Sequence, residues 1–347
     1  MFNAFLFHNR KNNPEIYQME DFKKLFESFS SLKVGVIGDV MLDTYMWGKV
    51  DRISPEAPVP VVSLHQKEYR IGGAGNVALN CKSLGAQASI LSVTGSDSEG
   101  LILEELFNVN NIDSSYLVKS ADRITTNKTR IISRNQQMMR LDAEITNDLS
   151  SKEESAIVKK IKDFISSVNP DIIIFEDYNK GMLTEKVIQE VIALCRQAGV
   201  MTAVDPKRKN FFAFKQADIF KPNLKEVKEA LNLFLNEVNQ TALKKIHTEL
   251  QNILHHKVSF ITLSEKGVFY QAGSDAKLIS SHIRNVADVS GAGDTVIAVA
   301  SLIYAITKNA RLMAEVANIA GGLVCEEVGT VAISKEKLLH ECELLLS

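Results

Sequence analysis

The sequence predicts an α/β fold: a mainly parallel central sheet with helices on both faces and a small β-sheet lid, in one large domain. Three observations carry this. Short buried-type apolar runs alternate with helical stretches through most of the chain, the pattern of parallel βαβ units. Two strand-like stretches, Val59–Ile71 and Thr125–Leu141, interrupt that alternation and are expected outside the main sheet as antiparallel strands. No repeat, low-complexity tract or flexible linker divides the 347 residues, a length that an α/β fold can use as one domain.

Taken in order, residues 1–30 read as an N-terminal extension with one short amphipathic helix over Met19–Phe29, and 31–347 as the domain. Lys33–Gly38 is a short apolar run closed by glycine, a buried strand. Pro55, Pro58 and Pro60 forbid helix over Asp51–Pro60 and favour extended chain. The lid segments are expected at about 44–71 and 125–141. Asn76–Leu84 is a helix with Val77, Cys81 and Leu84 on one face and Gly85 just past its end. Strands follow at Ala88–Val93, Asp171–Phe175, Val200–Val204, Ile219–Phe220 and Val258–Leu263. Between and after them come helices at Thr184–Gln197, Lys225–Phe234 and the strongly apolar Thr295–Ile306.

Composition removes several classes of function. With 40 Lys+Arg against 42 Asp+Glu and a net charge of -2, the chain lacks the basic footprint of a general nucleic-acid or membrane-surface binder. At 45% hydrophobic and 24% charged it is an ordinary globular composition. No apolar run reaches the roughly 18 residues that span a bilayer, and the greasy start lacks a basic region, so no signal peptide is expected. Cys81, Cys195, Cys325 and Cys342 form no CxxC pair and read as reduced thiols of a cytoplasmic protein. His255-His256, followed by Lys257, reads as a solvated loop rather than a metal site.

The sharpest motif is Asp288-Val-Ser-Gly291-Ala292-Gly293-Asp294, which opens the apolar helix. Small residues admit close backbone approach, and a helix start offers unpaired N–H groups to an anion, such as a phosphoryl group in transfer. Asp294 at such a mouth makes chemical sense as the acceptor of a proton from an attacking hydroxyl; the bland alternative is a capping Asp after a glycine turn. Gly72-Gly73-Ala74-Gly75-Asn76 opens another helix and also matches a weak G-x-G-x-x-A dinucleotide pattern through Ala78, with Asp97 about 20 residues on. No GxxxxGK[ST] sequence occurs, which excludes a P-loop kinase. Asn223 and Glu226 in Lys221-Pro-Asn-Leu-Lys-Glu are spaced either to hold a solvated magnesium ion or to form a helix cap. Ser264, Lys266 and Gly267 follow a strand in either an ordinary hairpin or a phosphate turn. Lys128, Arg130 and Arg134 share a parity along one strand with Ile132 between, and Asn135 and Arg140 lie near. They are either edge-strand protection or anchors for an acidic substrate.

Gly38-Asp39…Asp43, the GGAGN run, KPNLKE and SGAGD, in that order, resemble the paired signatures of the ribokinase (PfkB-type) carbohydrate kinases. Within the family, Arg52-Ile-Ser-Pro-Glu-Ala-Pro-Val-Pro60, Ser133-Arg-Asn-Gln136 and Arg140-Leu-Asp142 are similar to its D-glycero-β-D-manno-heptose 7-phosphate 1-kinase branch. The resemblance runs from about Val34 to Ile333. It implies a ribokinase-like three-layer sandwich and Mg²⁺-ATP-dependent phosphorylation of the anomeric hydroxyl to the 1,7-bisphosphate, on the way to ADP-heptose and lipopolysaccharide core. A kinase for another sugar or phosphosugar, and an inert sugar or nucleotide sensor, are the competing readings.

By this resemblance Asp294 is the base, and Gly291, Ala292 and Gly293 supply anion-hole amides. Asp43, Gly72, Gly73 and Asn76 hold sugar hydroxyls. Asn223 and Glu226 serve nucleotide and magnesium, the former through water. Ser264, Lys266 and Gly267 match the ATP-phosphate turn, while Lys180 (in Asp177-Tyr-Asn-Lys-Gly181) and Lys207 (in Asp205-Pro-Lys207) lie on neighbouring loops. A 7-phosphate needs a cationic recess, for which Lys128, Arg130, Arg134 and Arg140, with Arg52, are the candidates. Ser290 stands where Thr is commoner. A homodimer through the lid is implied, and a monovalent-cation requirement is left open. No HxGH-type motif follows, so the adenylyltransferase step is expected on a separate protein.

Overall fold

A computed structural model describes residues 19–134, 136–235, 237–282 and 284–346. The first half comprises α1 (Met19–Ser28), β1 (Lys33–Gly38), β2 (Val40–Ile53), β3 (Pro60–Gly73), α2 (Ala74–Ser83), β4 (Gln87–Leu91), β5 (Val93–Gly95), α3 (Ser98–Val109), β6 (Val118–Ser120), β7 (Asn127–Ser133), β8 (Gln136–Ala143) and α4 (Ser151–Val168). Then come β9 (Ile172–Glu176), α5 (Glu185–Ala198), β10 (Met201–Asp205), β11 (Ile219–Phe220), α6 (Leu224–Ala230) and α7 (Gln240–Leu254). The chain closes with β12 (Val258–Thr262), β13 (Val268–Ala272), β14 (Asp275–Ile279), α8 (Ala292–Thr307), α9 (Ala310–Val324) and α10 (Lys335–Leu345).

Eight strands form the central sheet in the order β14-β13-β12-β11-β10-β9-β1-β4. From β4 to β12 every pairing is parallel; β13 and β14 add an antiparallel edge. Strands buried on both faces read as unbroken apolar runs, which is why Lys33–Gly38 and Ile219–Phe220 are where the sequence places them. Alternate residues feed two cores. Val36, Ile174 and Ala203 pack beneath α2, α8 and α9, together with Phe22 and Phe26 of α1. Ile37, Ile173, Phe175 and Val204 pack against α4, α5 and α7. The result is a helix–sheet–helix sandwich.

A second sheet of four strands, in the order β3-β2-β7-β8, stands apart from the first. Its root is not a linker: only Asp39 separates β1 from β2, and β3 runs directly into α2. Register sets its polar face. Asp43 lies between Arg70 and Lys128, Tyr45 lies between Glu68 and Arg130, and Arg130 lies opposite Arg140. Paired residues share a face, so these side chains form one charged row. A register shift between Ile131 and Ile132 and the left-handed turn at Arg134 (φ 50) end that row. Arg134 is therefore exposed in the turn, not on the strand face with Lys128 and Arg130. Asn135 lies outside the described residues.

Other expectations need correcting. The strand over Ala88–Val93 is split at Ser92, whose hydroxyl donates to the Gly38 carbonyl (2.6 Å). Helix α6 stops at Ala230 because Asn232 takes a left-handed conformation (φ 52), and Phe234 is left 94% exposed. His256 is buried rather than solvated: its Nε2 and the Nδ1 of His247 share the Ser259 hydroxyl at 2.6 and 2.8 Å. The dinucleotide pattern fails on context. Helix α2 follows an antiparallel strand of the second sheet, and Asp97 is the N-cap of α3, accepting from the Gly100 N–H.

Candidate active site

Parallel strands β1, β9 and β10 end together, with Gly38, Glu176 and Asp205 in register. Crevices outside such strand ends are where α/β sheets bind ligands. Directly after Gly38, the buried Asp39 carboxylate accepts the N–H groups of Tyr178 (2.9 Å), Lys180 (3.1 Å) and Met182 (3.1 Å). It thereby fixes the loop that follows β9.

Helix α8 points its start into this crevice. Its N-cap, Gly291, has φ 77 and offers no capping side chain; the expected Ala292 amide is taken by the Val289 carbonyl (3.3 Å), which leaves the Gly293 and Asp294 N–H groups to an anion. An added Cβ at Gly291 would sit 2.9 Å from Asn76 Nδ2, which shows why glycine is needed there. Asp294, 3% exposed, accepts from Asn76 Nδ2 at 2.8 Å and from the Tyr178 hydroxyl at 2.7 Å. Burial lifts its carboxyl to about 6; the bonds from Asn76 and Tyr178 oppose that rise and nearby Asp205 adds to it. Such a carboxyl is ionised at neutral pH yet basic enough to receive a proton.

The glycines before α2 have a steric reason. Gly73 has φ 60, and a Cβ there would lie 2.4 Å from the Asp39 carbonyl; a Cβ on Gly72 would lie 2.5 Å from Asp43 Oδ2. Asn76 is in turn held by Asn80, whose Nδ2 donates to both its carbonyl (2.8 Å) and its Oδ1 (3.3 Å).

Below the start of α8 lies a charged cluster. Lys221 pairs with Asp205 at 2.6 Å, and Lys207 pairs with Glu226 at 2.8 Å and reaches Asp205 at 3.7 Å. Glu176 is fully buried, with neither carboxyl oxygen hydrogen-bonded. Burial, then Asp205 and Asp294, push its carboxyl well above the usual range. Asn223 and Glu226 form a reciprocal capping box at the start of α6, with Asn223 N–H on Oε2 of Glu226 (2.8 Å) and Glu226 N–H on Oδ1 of Asn223 (2.9 Å). The cap and the magnesium readings thus meet on the same two residues, and Oε1 of Glu226 is taken by Lys207. Among the described residues no three His, Cys, Asp or Glu side chains converge as metal ligands. The turn at Ser264, Lys266 and Gly267 joins β12 to β13 beside this cap, through a bridge between Asn223 and Thr262.

The second sheet covers the other side. Asp43 accepts from Arg130 Nη1 (2.6 Å) and from the Thr330 hydroxyl (3.1 Å). Arg140 is engaged by Asp142 through two 2.9 Å bonds, and Lys180 turns away to Glu144 at 2.7 Å. Arg52 is exposed. Lys128 differs: half-buried and in no ion pair among the described residues, it lies with Nζ 5.3 Å from the centroid of the Tyr178 ring. Burial lowers its pKa.

The structure therefore gathers Asp294, Gly291, Ala292, Gly293, Asn76, Gly72, Gly73, Asp43, Lys128, Arg130, Lys207, Asn223 and Glu226 about one crevice. It leaves Arg52 and Arg134 outside and directs the side chains of Lys180 and Arg140 elsewhere. Sequence reasoning does not single out Asp39, Glu176, Tyr178 or Thr330. The Asp177–Gly181 run marks the right loop, but nothing in its spacing shows that a phenol reaches α8.

The family model for pfkB family carbohydrate kinases matches residues 31–337. The bifunctional protein HldE of Desulfatibacillum aliphaticivorans is 37% identical over 311 residues, 89% of this chain and 63% of that protein. That of Geobacter sulfurreducens is 36% identical over 323 residues, 93% of this chain and 65% of that protein. The chain thus spans somewhat less than two thirds of the length of these relatives. Phosphofructokinase-2 from Escherichia coli, in complex with potassium, superposes with a TM-score of 0.75 at 17% identity, covering 91% of this chain and 99% of that one. Ribokinase from Arabidopsis thaliana, complexed with ribose and ATP, superposes with a TM-score of 0.69 at 16% identity, covering 89% and 98%. At those identities the structural likeness speaks for the fold alone. Among the described residues no helix is long and apolar enough to cross a membrane. With the family model matching nearly the whole chain and an acid set at the mouth of a glycine-opened helix, this chain belongs to the pfkB family of carbohydrate kinases and is a sugar kinase.

Proposed function

We propose that the enzyme transfers the γ-phosphoryl group of ATP to the anomeric hydroxyl of D-glycero-β-D-manno-heptose 7-phosphate in the cytoplasm, supplying the 1,7-bisphosphate for ADP-heptose synthesis. The observation that carries the chemistry is Asp294, buried at the start of α8 and held by Asn76 and Tyr178. Its carboxylate takes the hydroxyl proton as the sugar oxygen bonds to the γ-phosphorus; the bond from phosphorus to the bridging oxygen breaks, and ADP leaves with that electron pair. The amides of Gly293 and Asp294, at the glycine-opened start of α8, face the charge carried by the transferring group.

Substrate choice is supported by likeness to the HldE proteins and by the polar row of the second sheet, which we assign as the lid. Of its cations, Arg130 is committed to Asp43 and Arg140 to Asp142. Lys128 is the cation left for the substrate phosphate, with Arg130 orienting Asp43 toward a sugar hydroxyl. The donor set fits a magnesium ion held mostly by water and phosphate oxygens, since Glu226 is the acid at hand and Asn223 is its cap partner. When bound, that ion offsets charge on the ATP phosphates.

An ADP-release assay across heptose 7-phosphate, fructose 1-phosphate, fructose 6-phosphate and ribose tests the assignment, and a potassium titration in the same assay measures monovalent-cation dependence. Heptose 7-phosphate should give the highest kcat/KM; preference for a sugar lacking a terminal phosphate removes Lys128 from its role. Asp294→Asn should lower kcat by about 10²–10⁴ with ATP binding kept. An undiminished Asp294→Asn would end the base assignment.

A further inference from the structure

Tyr178 is unusually well fastened for a loop residue. Besides the three N–H bonds to Asp39, the Asp177 carboxylate accepts from the N–H groups of Asn179 (2.7 Å) and Lys207 (3.4 Å). Arg123 donates to the carbonyls of Asn147 (3.0 Å) and Lys180 (2.5 Å), which ties the same loop from outside. The loop turns through left-handed conformations at Asn179 (φ 55) and Gly181 (φ 90), and a Cβ on Gly181 would lie 1.9 Å from the Asn147 carbonyl. A buried carboxylate that spends its lone pairs on three amides of one loop serves that loop's shape.

What the loop presents is one hydroxyl and one ring. The hydroxyl donates to Oδ1 of Asp294 while Asn76 donates to Oδ2, so the two oxygens of the carboxylate are held by different elements. The ring has Lys128 Nζ 5.3 Å from its centroid and Lys207 Nζ 5.5 Å from it, one cation from the second sheet and one from the loop after β10. We propose that Tyr178 is a positioning residue for the reaction: its hydroxyl fixes the plane of the Asp294 carboxylate, and the Asp39-anchored loop fixes Tyr178. This rests on Asp294 being the base.

The charge around the pair keeps the phenol in its donating form. Asp294 from α8, Glu176 from β9 and Asp205 from β10 face it, and together with burial they push its ionisation well upward; Lys207 and Lys221 are the cations of the same cluster. Loss of the hydroxyl leaves Asp294 with the Asn76 donor alone. A carboxylate that loses a donor binds its proton more tightly and turns more freely.

The test is the pH dependence of kcat and kcat/KM for wild type, Tyr178→Phe and Asp294→Asn on the intact enzyme, with melting curves and ATP titration as controls. Phenylalanine keeps the ring between the two lysines. Tyr178→Phe should lower kcat on the order of tenfold and move the acid limb about one pH unit upward, with KM for ATP and the melting temperature little changed. A merely structural role would leave the limb in place. A wild-type limb in Tyr178→Phe beside an inactive Asp294→Asn overturns the positioning role alone. Full activity in Asp294→Asn overturns the base reading, and this inference with it.

Discussion

Gly291 must take a left-handed turn and leave room for Asn76 at the same point, and no other residue type does both cheaply. Gly291→Ala is expected to cost about 1–3 kcal/mol, by the usual expense of a strained residue, and to lower kcat more than it raises KM for ATP. Chemical denaturation and steady-state kinetics on the same preparation check both parts. On the base role proposed for Asp294, with its carboxyl lifted to about 6, kcat/KM should fall as pH drops through that value, because the acceptor is then protonated. A limb near the ordinary carboxylate range of about 4 would contradict the burial argument. At this scale the sequence was informative where function demands a fixed string, as in the glycine turns and Asp294. It marked the runs that hold Tyr178 and Asp39 but no role for either, because their partners lie 116 and about 140 positions away and only the strand order brings them close.

Among elements, the buried strands were readable because continuous apolar runs have few other uses. The polar pairings between elements were not. His255-His256 next to Lys257 reads as a wet loop, yet β12 and α7 close over His256 and His247 around Ser259. Burial holds the His256 imidazole down to about 3, against an ordinary value near 6.5. Between those two values the unfolded chain binds the proton that the folded chain refuses, so stability falls as pH drops below about 6.5. The melting temperature should therefore decline from pH 7.5 to 5, and less steeply in His256→Asn; identical slopes would dismiss the imidazole as the cause. Asn223 and Glu226 show the opposite limit of sequence reading. The spacing allowed a cap or an ion site, and the fold forms the cap on the same two residues that the proposed magnesium reading uses, with Glu226 also paired to Lys207.

For the whole molecule, the second sheet has two unlike faces. The charged row looks toward the crevice, while Met139 (54% exposed) and Leu141 (51%) lie on alternate positions of β8, with Ile131 opposite Met139 in register. An exposed apolar sheet face of this kind suits a second copy of the chain, and the homodimer expected from the resemblance would bury it here. Light scattering should give twice the mass of one chain, and Leu141→Asp should shift the enzyme toward monomer; a wild-type monomer at micromolar concentration refutes this contact. The division into a sandwich and a smaller sheet was legible from where the alternation of elements breaks. The pairing of β2 with β7, across about 80 residues, was not. One more result follows from β2 itself. It is a ribbon of 14 residues, from Val40 at its buried root to Ile53 at its exposed tip, with register shifts at Trp47/Gly48 and Val50/Arg52, and β3 returns alongside it to Gly72 and Gly73. With only Asp39 between it and β1, the ribbon holds Asp43 at the crevice while its far end stands in solvent, so the sugar contact proposed for Asp43 is anchored in the sandwich rather than in the free tip.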